Sequence, residues 1–233
     1  MAMKLLLTSA GITNDRIREA LLDLLGKPIE QSKALCVPTA IYALAGGNGY
    51  SWALLKELEL GWQEYGVLEL TALPSLLEEH WLPTVETADV IIVGGGNGFY
   101  LSYWLQQSGL AQKLPELLKH KVYVGVSAGS AIVTHSIHAN RSKLEKTGVY
   151  HDDEYDETGP PKASSEKTLQ LVDFTLRPHL NADYFPMASL ENMEHWAAKV
   201  DVPLYAIDDQ TAIKVVDGEV EVVSEGQWKR FEK

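Results

Sequence analysis

Two apolar runs in this chain end in clustered glycines and pass straight into helical sequence. They are Asp89-Val90-Ile91-Ile92-Val93 before Gly94-Gly95-Gly96, and Val122-Tyr123-Val124-Gly125-Val126 before Ser127-Ala128-Gly129. A β-branched run without polar alternation suits a strand covered on both faces. Leu5 to Leu7 predicts a first strand, and Asn14 to Leu25 a helix with Asn14 as N-cap and Gly26 as its stop. Ala34 to Val37 and Val67 to Leu70 read as strands; Ser51 to Leu60, Phe99 to Gln107 and Leu114 to His120 read as helices. Short strands alternating with helices predict a mostly parallel sheet between two helical layers, a three-layer α/β/α sandwich.

The pattern changes beyond about Thr134. The stretch 139–165 is polar and acidic, contains Asp152-Asp153-Glu154 and two prolines, and reads as a lid or surface insertion. An apolar strand is expected over Leu169 to Leu176 and a helix over Ser189 to Lys199, with Ser189 as N-cap. The end is β-rich. Leu204 to Ile207, Thr211 to Val216 and Val220 to Val223 predict strands, with Asp217-Gly218 closing a C-terminal hairpin. With 233 residues, 45% of them hydrophobic, and no repeat or linker, the expectation is one domain over 1–233.

The formal net charge of -12 argues against nucleic acid and anionic lipid as partners. A single cysteine, Cys36, excludes an internal disulfide and reads as a buried core residue. The apolar stretch near Met1 is too short for a signal-peptide core, and no run approaches the length of a membrane span, so the expected compartment is the cytoplasm.

Gly125-Val126-Ser127-Ala128-Gly129 is a Gly-x-Ser-x-Gly sequence between a strand and a helix, the setting of a nucleophile elbow. The serine would sit at a helix N-terminus, where free N–H groups favour developing negative charge, and the Ala128 N–H could serve an oxyanion. Ser130, one turn further, reads as a packing or capping hydroxyl. Gly94-Gly95-Gly96-Asn97 ends the neighbouring strand and offers bare N–H groups. Gly95 or Gly96 could complete an oxyanion hole; a phosphate cradle is the other reading, without the Lys-Ser/Thr pair of a P-loop.

Seven histidines compete as the base. His179 follows Pro178 at the end of an apolar run, where a base is needed. His135 and His138 lie at i,i+3 spacing near the expected end of the elbow helix, but no third metal ligand has a recognisable spacing. His80, His120 and His195 read as solvated helix positions. Asp208 and Asp209 follow a strand; either could orient His179, and two adjacent carboxylates are also a turn signature.

In this order, Ile91-Ile92-Val93-Gly94-Gly95-Gly96-Asn97, Gly125-Val126-Ser127-Ala128-Gly129, Pro178-His179 and Ala206-Ile207-Asp208-Asp209 resemble peptidase E, the aspartyl dipeptidase family, and more distantly cyanophycinase. The resemblance implies a fold like class I glutamine amidotransferases and a Ser-His-acid triad: Ser127 as nucleophile, His179 as base and Asp209 at the acid position, where the founding enzymes have glutamate. It implies an oxyanion hole from Gly95 or Gly96 and Ala128, a short peptide as substrate, and neither cofactor nor metal. Asn97, Arg177 and Arg141 are the candidate substrate-binding residues. In peptidase E a segment after the histidine resembles Thr-Arg-Glu, and its arginine looks like the partner of an aspartyl carboxylate. Residues 180–199 here contain no arginine and several acids. The expected reaction is therefore hydrolysis of a peptide bond in a short peptide, with aspartyl dipeptides as one possible class. An isopeptidase, an esterase and a catalytically silent binding module are the alternatives, and the oligomeric state, monomer or homodimer, is left open.

Overall fold

The computed structural model describes residues 3–44, 59–137 and 162–233, together with the backbone of 142–143 and 150–151. The expected helix at Ser51 to Leu60 lies largely outside the described residues, as do His138, Arg141, the Asp152-Asp153-Glu154 loop and most of the expected lid.

The central sheet has seven strands: β1 (Lys4–Thr8), β2 (Lys33–Val37), β3 (Glu64–Val67), β4 (Val90–Val93), β5 (Val122–Val126), β10 (Thr211–Val216) and β11 (Glu219–Ser224), in the order β11-β10-β1-β5-β4-β2-β3. The five strands from β1 to β3 run parallel, and β10 and β11 form an antiparallel hairpin on β1. At its turn Asp217 and Gly218 both take positive φ, as a two-residue hairpin loop requires. A smaller sheet, β12-β9-β8, joins β8 (Thr175–Arg177) in parallel and β12 (Trp228–Phe231) antiparallel to β9 (Leu204–Ile207). Two short strands, β6 (Ser142–Lys143) and β7 (Tyr150–His151), pair with each other.

Alternate residues of each strand feed opposite faces, and this divides the core in two. On one face Leu6, Val90, Ile92, Val122 and Val124 pack against α1 (Asp15–Leu25), which buries Ile17, Ala20, Leu21 and Leu24 at the spacing of one helical stripe. On the other, Leu5, Leu7, Leu35, Ile91 and Tyr123 pack against α2 (Glu78–Thr87), α3 (Gly98–Gln107) and α4 (Leu110–Leu117). The α/β sandwich is thus formed as expected. Cys36 is buried in β2.

Several boundaries differ from the sequence reading. β3 ends where the third strand was expected to begin, because Leu68 and Leu70 are buried as the chain leaves the sheet edge. The run Leu169 to Leu176 forms a strand only from Thr175. Before that, the Leu169 and Leu171 N–H groups donate to the carbonyls of Ile132 and Val133 rather than to a sheet. The elbow helix α5 (Ala128–Ala131) is a single turn, so His135 lies beyond it, and α4 starts four residues before the expected Leu114.

Parallel pairing sets the carboxyl ends of β1, β5, β4 and β2 along one edge, where sites form in such sheets. The elbow is built into that edge by close backbone approach. A Cβ added at Gly129 would land on the Val93 carbonyl oxygen, so α5 can lie over the end of β4 only with glycine there. Backbone cannot give way as a flexible side chain can, so Gly129→Ala is expected to lower unfolding free energy by about 3 kcal/mol or more. Urea denaturation checks this; a loss under about 1 kcal/mol would contradict the packing described.

Candidate active site

Ser127 stands between β5 and α5 at φ 51 and ψ −110, a conformation that side-chain-bearing residues avoid. Its neighbours hold it there. The Ser127 N–H donates to the Thr8 carbonyl (3.1 Å), and the Ser127 carbonyl accepts from Ser130 and Ala131 (2.9 and 3.0 Å). Thr8 Oγ1 donates to the Gly125 carbonyl (2.7 Å), and Ser130 Oγ donates back to the Thr8 carbonyl (2.7 Å). Ser130 is fully buried in this clamp, in keeping with a structural hydroxyl.

His179 reaches the same edge from the smaller sheet, two residues past β8, also at positive φ (62°). It is 8% exposed. Its Nε2 lies 2.8 Å from Ser127 Oγ and its Nδ1 lies 2.7 Å from Asp209 Oδ1. An ionised carboxylate can only accept, so Nδ1 carries the proton and Nε2 is left to accept from the Ser127 hydroxyl. The ring stacks on Phe185, centroids 4.7 Å apart at 22°, which fixes its plane.

The two adjacent acids do different things. Asp208 turns away from His179. Its Oδ1 accepts from the Gln210 N–H (3.1 Å) and Thr211 Oγ1 (2.7 Å), and its Oδ2 from the Gln227 N–H, tying the β9–β10 turn to the segment before β12. Asp209 faces His179. Besides the imidazole, its Oδ1 accepts from Ser9 Oγ (2.6 Å) and its Oδ2 from Tyr184 Oη. Burial alone would raise the Asp209 pKa, but the hydrogen bond and charge of His179, with the Ser9 and Tyr184 hydroxyls, outweigh it and hold the carboxyl down to about 2. Burial and the Asp209 carboxylate push the Tyr184 phenol up.

Gly95 lies against the serine. A Cβ added to it would stand 3.1 Å from Ser127 Cβ and 3.7 Å from Oγ. Gly96 takes φ +131 beside the backbone of Ala40 and Ile41. Ala128 takes the first position of α5, directly after the serine, and the glycine loop follows β4, on the side of β5 away from β1 in the strand order. Asn97, a candidate for substrate binding, is fully buried; its Oδ1 accepts from the Tyr100 N–H (2.8 Å) and caps α3. Arg177, the second such candidate, is 4% exposed within β8, its guanidinium 5.8 Å from the Phe185 ring centre. His135 pairs with Asp201 (3.6 Å) beside a groove of about 830 Å³ lined by Glu166, Lys167 and Lys199, among others. That groove lies where the chain enters β8 and β9, not where it leaves them toward His179 and Asp209. Among the described residues no group of three His, Cys, Asp or Glu side chains could hold a metal ion.

Ser9 and Tyr184 were missed in the sequence. Ser9 reaches His179 across 170 residues and Asp209 across 200, whereas Tyr184 lies 5 residues from His179 and 25 from Asp209. The one usable signal was Thr8-Ser9, a polar pair closing the apolar run Leu5 to Leu7 at a strand's carboxyl end.

The model of peptidase family S51 matches residues 5–223. An uncharacterized peptidase of Listeria monocytogenes is 31% identical over 134 residues, 57% of this chain and 58% of its own length. An uncharacterized peptidase of Listeria innocua is 30% identical over 66% of this chain and 68% of its own. A probable alpha-aspartyl dipeptidase of Drosophila melanogaster is 29% identical over 55% of this chain and 50% of its own. The match to the first of these relatives thus spans less than two thirds of that relative's length. A crystal structure of a peptidase E candidate from Listeria monocytogenes superimposes with a TM-score of 0.71 at 21% identity, covering 97% of this chain and all of that one. No helix among the described residues is long and apolar enough to cross a membrane.

Because the Asp209 pKa is lower folded than in an unfolded chain (about 3.9), the carboxylate adds stability that is complete above about pH 4 and is lost as pH falls toward about 2. The full effect is of order 2 kcal/mol. Asp209→Asn should flatten the fall in unfolding free energy over that window in urea titrations. Parallel curves for the two proteins would contradict the hydrogen-bonding described.

Proposed function

The chain belongs to peptidase family S51, and from that premise we propose that it is a serine-type peptidase that cleaves a peptide bond in short peptides through an acyl-enzyme. The observation that carries the proposal is the continuous contact Ser127 Oγ to His179 Nε2 (2.8 Å) and His179 Nδ1 to Asp209 (2.7 Å) on a strained strand-to-helix elbow.

In this reading Ser127 attacks the scissile carbonyl while His179 Nε2 takes its proton. Asp209 stays ionised, holds the imidazole in the Nδ1–H tautomer and stabilises the imidazolium. The charge on the carbonyl oxygen is met by the N–H groups of Ala128 and of Gly95 or Gly96, which are backbone and therefore pre-set. His179 then protonates the leaving amine. A water activated by the same imidazole releases the acyl group and restores Ser127. Every proton moves between groups of this chain, substrate and water.

The Drosophila relative makes an aspartyl dipeptide the first substrate to test. Two observations favour a different preferred residue: residues 180–199 hold no arginine but carry the acids Asp183, Glu191 and Glu194, and Arg177 is buried against Phe185. A panel of dipeptides and amino-acid p-nitroanilides with aspartyl, isoaspartyl, neutral and basic residues, assayed beside Ser127→Ala, separates these cases. Ser127-dependent cleavage outside the aspartyl members is expected, with at least about a thousandfold loss of kcat in the variant. Cleavage that survives Ser127→Ala in highly purified, folded protein would overturn the proposal.

A further inference from the structure

Ser9 is fully buried at the carboxyl end of β1, where no substrate atom need reach it. Its hydroxyl makes two hydrogen bonds of opposite sense. It accepts from the backbone N–H of His179 (2.8 Å) and donates to Asp209 Oδ1 (2.6 Å). Its Oγ also lies 3.3 Å from His179 Nδ1. One oxygen atom therefore touches the base through its main chain and the acid through its carboxylate.

The topology explains why such a group is needed. Thr8 stands opposite Val126 in the parallel pair with β5 and opposite Ala212 in the antiparallel pair with β10. The next residue along β1 is therefore set between the elbow that carries Ser127 and the turn that carries Asp209; the Ser9 N–H itself donates to the Thr211 carbonyl (3.4 Å). Ser127 follows a strand of the main sheet and His179 one of the smaller sheet, while Asp209 lies in the turn from β9 of the smaller sheet to β10 of the main one. The His179 segment holds positive φ at both His179 and Asn181, and between them the Leu180 N–H donates to the Ile207 carbonyl of β9 (3.0 Å), which ties it to the smaller sheet. The Ser9 hydroxyl bonds this segment to the main sheet at the imidazole-bearing residue itself.

We propose that Ser9 is a positioning residue: its hydroxyl sets the His179 backbone and the Asp209 carboxylate in one frame, so that Nε2 is aimed at Ser127 Oγ. The inference rests on the hydrolase reading given above. Ser9 moves no proton in the reaction. Its own proton stays on the hydroxyl, directed at Oδ1, which leaves the imidazole as the one group passing a proton to and from Ser127. Tyr184 Oη holds the other carboxylate oxygen from an exposed position, so Asp209 is gripped at both oxygens and Ser9 supplies the buried grip.

A fluorophosphonate probe tests the proposal without a known substrate, because it labels a serine only as fast as its base activates it. Wild type, Ser9→Ala, Ser9→Thr and Ser127→Ala are compared for the maximal labelling rate and the half-saturating probe concentration. Thermal unfolding and the far-downfield proton resonance of the His179 Nδ1–H are followed in the same proteins. Ser9→Ala should lower the maximal rate between about tenfold and a hundredfold, with half-saturation unchanged, and should shift or broaden the resonance. Ser9→Thr keeps the hydroxyl and should recover most of both. A Ser9→Ala variant labelled at the wild-type rate with the resonance unmoved overturns the proposal. So does equal loss in Ser9→Ala and Ser9→Thr in step with lowered melting, which marks a packing role. If wild type resembles Ser127→Ala and neither is labelled, the hydrolase reading fails on its own account, and the resonance alone still decides whether Ser9 sets the imidazole.

Discussion

Thr8 holds the bend on which the active edge depends. Its carbonyl accepts both the Ser127 N–H and the Ser130 hydroxyl, and its own hydroxyl donates to the Gly125 carbonyl. A serine at φ 51 costs of order 1–3 kcal/mol, and these bonds, with those from the first turn of α5, are what make that conformation the stable one. Without the bend the chain would continue along β5 and Ser127 would point into a sheet face. With it, the hydroxyl stands clear of the sheet at a helix N-terminus, within reach of a base from another part of the chain.

The site joins three separately anchored pieces. β5 delivers the serine, the smaller sheet delivers the histidine, and the turn between β9 and β10 delivers the acid. That turn is itself fixed by Asp208, whose carboxylate accepts from Gln210, Thr211 and Gln227, so its neighbour is free to face His179. Asp209 is partly buried yet holds its carboxyl at about 2, because three donors converge on it. In the proposed reaction a charge so placed would favour the imidazolium formed when Ser127 loses its proton. The protein thereby commits stability to a charged cluster at the edge of its core rather than to apolar packing there.

How much of this was legible depended on whether the physics was local. The two buried β-branched runs, the caps Asn14 and Ser189 and the Asp217-Gly218 hairpin were readable because each is decided by a few adjacent residues. The elbow was readable for a related reason: at Gly129 nothing larger than hydrogen fits over the Val93 carbonyl. α2 was not anticipated as an element because Pro83 interrupts its pattern, and β12 because a four-residue strand of alternating exposure carries little apolar signal. The choice between Asp208 and Asp209 could not be made from a turn signature that fits both; only the fold shows which one faces the imidazole. At Asn97 a polar residue after a glycine cluster suits a ligand and a helix cap alike, and the fold shows the cap. Ser9 carries no motif, since its partners are brought near only by the assembled sheets, and Tyr184, although 5 residues from His179, belongs to none either.

The proposed reaction passes through a covalent intermediate on Ser127, formed with the help of His179 and Asp209. Acid quenching of the protein during turnover of a reactive amino-acid ester, followed by peptide-resolved mass spectrometry, reads this directly. An acyl adduct is expected on the peptide containing Ser127 and none on Ser127→Ala. Turnover with no adduct in rapidly quenched samples, or an adduct on a different residue, would contradict the proposed reaction.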